Sequence, residues 1–320
     1  MTLLGAFARR FAVFLGTALV ASVVIFVIVQ ALPGDVAQAT LGLGATPDAV
    51  EALRQKWGLD RPLLVRYGEW LLGMLHGDFG ASYLTGQSVS GQIAPRLAIT
   101  GWLVALSIPL STLVAVPLGL VAAMMRRRGL GAIVNGASHI GLAIPVFFAG
   151  AVLVIVFSVI LGWLPANSYA SLMTKGFSDW ARHMVLPVAS LVIVQSCLLV
   201  RYVRAGFIDV LTEDYYRTAR SVGWTKWAGL VRHGLRNMAT SLVTVLGMQT
   251  ASLLVGAILV ERVFVLPGLG SLLIDSVLNR DLMTVQGVGM LLVFAVLAIN
   301  FVVDLLYFAI DPRLRRQVRA

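Results

Sequence analysis

Side chains that could do chemistry are few in this chain and lie far apart. His76, His139, His183 and His233 include no H-E-x-x-H pair, so no helical face offers two imidazoles to one zinc ion. Each reads as a hydrogen-bonded structural histidine. Cys197 is the single cysteine, which excludes an intrachain disulfide and any thiolate cluster, and its apolar surroundings suit a small buried hydrophobe. No G-x-x-x-x-G-K-[ST] loop is present, so the chain is not expected to hydrolyse ATP by itself, and no cofactor or metal site is expected in it. The main carboxylate inside an apolar run is Asp304, with Asn300 one helical turn earlier. Such a group either relays a coupling ion, as in secondary transporters, or pairs with an arginine or with orphan backbone at the helix end. The second role weighs more here, because Asp304 lies close to the end of its run. An intramembrane hydrolase would need a nucleophile and a base at facing depths, and no such pair stands out.

The elements that hold these residues are written in the composition. With 58% hydrophobic residues, 12% charged ones and a mean hydropathy of +0.88, the chain lacks the polar surface to cover a soluble globule of 320 residues. Lipid must be its main solvent. A β-barrel would alternate apolar and polar residues in short strands, whereas this chain has unbroken apolar runs long enough for helices. In hydrocarbon a helix satisfies its own backbone N–H and C=O groups. Six runs qualify: 11–31, 97–124, 131–161, 184–203, 239–260 and 285–309. The second and third contain Pro109, Pro117 and Pro145, which predict tilted or kinked helices. Arg9 and Arg10 before the first run resemble a signal peptide, but the run is long for one and Gln30-Ala31-Leu32-Pro33 offers no small-x-small cleavage site. It is read as a retained span.

The formal net charge of +10 does not point to nucleic acid, because the arginines cluster at the ends of apolar runs and not in a polar groove with stacking aromatics. They orient the protein. With the N-terminus inside, Arg9 and Arg10, Arg126 to Arg128, seven cations from Arg201 to Arg236, and Arg313, Arg315, Arg316 and Arg319 all lie on the cytoplasmic side, sixteen of the 25 lysines and arginines. Only four acidic residues accompany them. Both termini are therefore expected in the cytoplasm.

Two hydrophilic segments remain, on opposite sides of the membrane. Outside, residues 33–95 carry helical punctuation. Thr46 is placed to cap a helix with Pro47 at its first position and Val50, Leu53 and Trp57 on one face, and Gly58 ends it. Asp60 and Pro62 then start a second amphipathic helix with Leu64, Tyr67, Leu71 and Met74. Inside, residues 204–238 have helical spacing up to Ser221, a break at Gly223 and a second helix from Trp224. The chain thus divides into a tail and first span (1–32), an extracytoplasmic helical segment (33–95) and a five-span core (96–320) that includes the inner loop.

The inner loop carries a resemblance. Glu213 and Asp214, then Tyr216-Arg217-Thr218-Ala219-Arg220-Ser221-Val222-Gly223, then His233-Gly234-Leu235-Arg236-Asn237, resemble the "EAA loop" of ABC importer permeases. The general pattern is E-A-A, three residues, glycine, nine residues and I-x-L-P. Ala219 and Gly223 match it, while Arg217, Thr218 and His233 depart from it toward the version of the peptide and nickel branch. Leu32-Pro33-Gly34-Asp35, Gly58 to Pro62, His76 to Gly80, His183 to Pro187, Leu266-Pro267-Gly268-Leu269-Gly270, Asn279-Arg280-Asp281 with Val285-Gln286-Gly287, and Val303 to Tyr307 before Asp311-Pro312-Arg313 look like the same branch. Together they run along nearly the whole chain.

The resemblance implies an all-α bacterial inner-membrane permease subunit with six spans and no catalysis of its own. It would pair with a homologous permease, two ATPase subunits that bind ATP and Mg, and an extracytoplasmic substrate-binding protein. The loop would be its coupling helix, with small Ala219 allowing close approach to an ATPase groove, Gly223 allowing the turn, and Arg217, Arg220 and Lys226 meeting acidic rims. The plainer use of those cations is to set orientation and touch anionic lipid. Pro267, Gly268, Leu269 and Gly270 would form an outer gate, a binding-protein contact or a structural lid. Di- or oligopeptides lead the substrate classes, with nickel chelates, glutathione and some sugars open. A proton-coupled secondary transporter built on Asp304 is the rival reading, and it leaves the loop unexplained.

Overall fold

The structure is a computed structural model that describes residues 3–31, 36–42 and 44–310. Among these it is helical, with one isolated β-bridge between Ala81 and Ser88. The helices are α1 (Leu3–Ala31), α2 (Val36–Leu41), α3 (Pro47–Lys56), α4 (Leu63–Leu75), α5 (Val89–Met124), α6 (Gly129–Ala143), α7 (Val146–Leu153), α8 (Leu172–Thr212), α9 (Asp214–Ser221), α10 (Lys226–Gly229), α11 (Leu235–Val263), α12 (Leu269–Leu278) and α13 (Leu282–Ile310). A π-helical stretch extends α7 over Val154–Ile160, and another joins α10 to α11 over Leu230–Gly234.

Within α1, α5, α8, α11 and α13 lie five segments long and apolar enough to cross a membrane, and α6 with α7 adds a sixth if that bent pair is one span. Outward-facing Val13, Leu19, Val20, Val27 and Ile28 on α1 show what lipid requires, a helix apolar on its exposed side. The third run corrects the expectation of one kinked helix. Ile144 and Pro145 are extended, at φ −84°, ψ 118° and φ −63°, ψ 143°, and the two halves meet at 102°. A proline ring disfavours the helical region for the residue before it, so the helix stops at Ala143 and restarts at Val146. Pro109 and Pro117 do not break α5, which runs 36 residues.

Packing groups the chain into two compact units. The first contains Gly101–Leu266, where α8 is the hub against which α6, α7 and α11 pack. Its core joins Ala115, Leu120 and Ala123 of α5, Leu199, Val200, Val203, Phe207 and Val210 of α8, Tyr216, Leu230 and Met238. Small residues let these helices approach: a Cβ on Gly141 would sit 2.3 Å from Sγ of Cys197, and one on Gly119 2.5 Å from a Val203 methyl. In lipid such close packing, not withdrawal from water, holds helices together.

The second unit contains Phe7–Thr100 and Pro267–Ala298. The expected outer helices are both there. The Thr46 hydroxyl accepts from Ala49 N–H at 3.4 Å, and α3 ends as Gly58 N–H reaches Gln55 O and Leu59 N–H reaches Arg54 O, with Gly58 at φ +65°. On α4, Tyr67 and Met74 pack toward a cluster of Phe26, Trp70 and Met290. Leu64 does not join them; it is 84% exposed, and Trp70 fills the inner face instead.

Candidate functional site

The inner loop is built as the capping signals dictate. Glu213 is the one extended residue (φ −74°, ψ 145°) between α8 and α9, so the chain leaves the long helix and starts a new one within a single residue. Asp214 sits in the first turn of α9, where the N-terminal end of the helix dipole favours an acid. At the other end Gly223 N–H bonds Arg220 O and Trp224 N–H bonds Ala219 O, both at 3.2 Å, with Gly223 at φ +99°. This is the Schellman arrangement, which needs a residue tolerant of left-handed backbone after the cap. Thr225 then caps α10 by accepting from Ala228 N–H at 3.2 Å.

Tyr216 fastens this helix to the rest of the unit. It is 5% exposed, lies in the core with Phe207, Val210 and Leu230, and donates its hydroxyl to Lys226 O at 3.2 Å. Burial pushes its phenol above the usual range, and Arg220 nearby pulls the other way. A Cβ on Gly229 would meet the Tyr216 ring at 3.4 Å. With Tyr216 turned inward, α9 presents Tyr215, Arg217, Thr218 and Arg220 outward, and Val222, Trp224 and Trp227 continue an exposed apolar patch. Arg217 lies 3.7 Å from Asp214, an exposed pair of small energetic consequence. Arg220 donates to Trp224 O across the turn, and the Arg232 guanidinium stands 5.5 Å over the Trp224 ring. Ala219 is half-buried at the edge of this surface. The structure therefore brings Glu213, Asp214, Tyr216, Arg217, Thr218, Ala219, Arg220 and Gly223 together in one helix and turn. His233 falls on the π-helical stretch and Asn237 on α11, but their side chains lie outside the described residues, as do Leu32 to Asp35 and Asp311 to Arg313.

The outer candidates take a different form. Pro267 is exposed, but Gly268, Leu269 and Gly270 are buried and open α12, with Leu269 N–H donating to Thr100 Oγ1 at 2.9 Å. Leu269 packs with Val89, Ile93, Leu272 and Val288. The turns on either side of α12 are tight: Val265 (φ +53°) and Arg280 (φ +58°) occupy left-handed backbone that costs an L residue roughly 1–2 kcal/mol.

Asp281 is the residue that motif reading undervalued. It is 5% exposed and accepts from Ser82 Oγ at 2.6 Å, Tyr83 N–H at 3.2 Å and Thr284 Oγ1 at 2.7 Å, tying the loop before α5 to the start of α13. Its sequence signal, Asn279-Arg280-Asp281, showed only as a resemblance, because its partners on the earlier loop are almost 200 residues away. Glu261, wholly buried near the end of α11, was also not singled out. In the intramembrane pair, Asn300 is exposed, whereas Asp304 is half-buried and already engaged by a neighbour. No group of three metal-ligating side chains occurs among the described residues.

The apolar helices, with a short basic helix and turn following the long span of α8, are those of a helical membrane protein. Residues 115–316 match the family described as binding-protein-dependent transport system inner membrane component, and residues 3–104 match the N-terminal part of such components, so the chain belongs to this family. It is 38% identical over 307 residues to a Brucella abortus protein named as a peptide transport system permease, covering 96% of this chain and 98% of that one. It is likewise 38% identical over 299 residues to the glutathione transport system permease protein GsiC of Salmonella typhimurium, covering 93% and 95%. Among solved structures, the inward-facing MetNI methionine ABC transporter shares the fold, with a TM-score of 0.57 at 18% identity over 68% of this chain and 96% of that one.

Proposed function

We propose that this chain is the permease subunit of an ATP-driven ABC importer for di- or oligopeptides, forming half of the translocation pathway in the bacterial inner membrane. The observation that carries the reading is the α9 turn. Tyr216 locks the helix to the core, Gly223 closes it, and Arg217, Thr218, Arg220 and Trp224 are left facing outward beyond the span. That is the form of a rigid lever. Its partners are a homologous second permease, two ATPase subunits that bind ATP and Mg, and an extracytoplasmic binding protein. The chain itself supplies no catalysis. Nucleotide-driven closure of the ATPases moves the two coupling helices and biases the pathway between outward and inward states. The peptide class rests on the names of the relatives, and glutathione, itself a peptide, falls within it.

The test replaces Ala219 with Trp, or Gly223 with Pro, in the assembled importer. Both variants are expected to insert and to lose ATP-dependent peptide uptake, and the Trp variant also to lose co-purifying ATPase. Normal uptake by a well-expressed variant refutes the coupling role. Uptake that survives removal of the ATPases but collapses with the proton gradient refutes the importer reading altogether.

A further inference from the structure

A second polar feature lies on α6 and α8, within the first unit. A cavity of about 350 Å³ is lined by Asn135 and His139 of α6 and by Leu198, Arg201, Tyr202, Arg204 and Ala205 of α8. No acidic residue lines it. Neither Arg201 nor Arg204 has a carboxylate within ion-pair distance among the described residues, and Nε of Arg204 is buried without a hydrogen-bond partner. Two unneutralised guanidinium groups one turn apart, beside an imidazole, an amide and a phenol, form a donor-rich pocket for an oxyanion.

Its depth identifies the oxyanion. Arg204 lies nine residues before Glu213 on an uninterrupted helix, about 13 Å from the coupling turn at 1.5 Å per residue. Asn135 lies six residues, about 9 Å, into α6 from its start at Gly129, which the Arg126–Arg128 cluster places on the cytoplasmic side. Both walls of the cavity thus stand at the inner boundary of the hydrocarbon, the level of lipid phosphates. An arginine facing bare hydrocarbon there would cost free energy that a bound phosphate removes. We propose that the α6–α8 cavity binds the phosphate of an anionic phospholipid headgroup, held by Arg201 and Arg204 with His139, Asn135 and Tyr202 completing the shell. Because α8 runs on to the coupling turn, the bound lipid braces the helix that carries α9. The lipid site rests on the inside-facing orientation and not on the identity of the transported solute.

The test is native mass spectrometry of the intact importer released from nanodiscs of phosphatidylglycerol mixed with phosphatidylcholine. Wild type is expected to retain phosphatidylglycerol selectively. Removing one arginine as R201Q or R204Q lowers retention about fivefold and the double variant about thirtyfold, from the attraction each cation exerts on anionic lipid. R201K/R204K restores most of it, and R126Q/R127Q, outside the cavity, changes little. Equal retention by wild type and the double variant overturns the proposal, as does displacement of the lipid by inorganic phosphate at equal concentration, which would make the cavity a site for free phosphate. If the double variant fails to assemble, wild type alone decides: absence of phosphatidylglycerol enrichment overturns the site. Peptide uptake measured in parallel separates the two ideas, since uptake without enrichment removes the lipid site and leaves the importer standing.

Discussion

At the scale of single residues, Asp281 holds a buried polar knot. Replacing it with Ala leaves the Ser82 and Thr284 hydroxyls and Tyr83 N–H without their acceptor in a buried place. Hydrogen bonds to a charged acceptor contribute about 1.5–3 kcal/mol each and do not add fully, so a loss of about 3 kcal/mol is expected. Thermal unfolding of the detergent-purified protein measures it, with Asp281→Asn recovering part of the loss; an unchanged midpoint for the Ala variant contradicts the assignment. Tyr216 carries a pH signature. Its phenol titrates above the value it has in the unfolded chain, because burial penalises the phenolate. The folded state therefore holds this proton more tightly, and the stabilisation is complete below pH 10 and drains away as pH rises through the folded value. Proteolytic nicking between residues 213 and 229 should increase above pH 10, and less so in Tyr216→Phe. Equal pH dependence in the two proteins would count against the anchor.

At the scale of elements, what the sequence could foretell was what is decided locally. Thr46, Gly58 and Gly223 set caps and C-terminal turns from their own chemistry, and the structure has each where the spacing predicted it. Leu64 failed because choosing the inner face of α4 needs knowledge of Phe26 and Met290, which come from other helices. The prolines expected to tilt or kink their runs differ in outcome. Pro109 and Pro117 are absorbed by α5, while Pro145 ends α6 and turns the chain through 102°. The residue type is the same and the surroundings differ. That bend leaves the path of the chain to be measured: if α6 and α7 cross the bilayer as one broken span, an alkaline phosphatase fused within residues 163–171 is active on the outer side. Activity only for a cytoplasmic reporter at those positions would make the pair re-entrant.

At the scale of the whole molecule, composition and charge carried the class, and resemblance carried the function. Apolar runs gave the membrane-spanning helices, but not their lengths. Helix α5 begins at Val89 and not at 97, and α8 continues to Thr212, because a helix need not stop where its hydrophobic run stops. The candidate site was legible as a helix and turn where it is a contiguous motif, from Glu213 to Gly223. It was not legible where it is made by distant partners, as at Asp281, or by two helices facing each other, as around Arg201 and Arg204.

Helix α5 has a mechanical consequence. Its 36 residues span about 54 Å, whereas the hydrocarbon core takes up about 30 Å. On the order of 24 Å of continuous helix must therefore overhang the bilayer. A tilt of roughly 10° about the membrane boundary would sweep the far end of such an overhang through about 4 Å. A helix of that length would act as a crank, converting a small rotation within the lipid into a displacement as large as a side chain outside it.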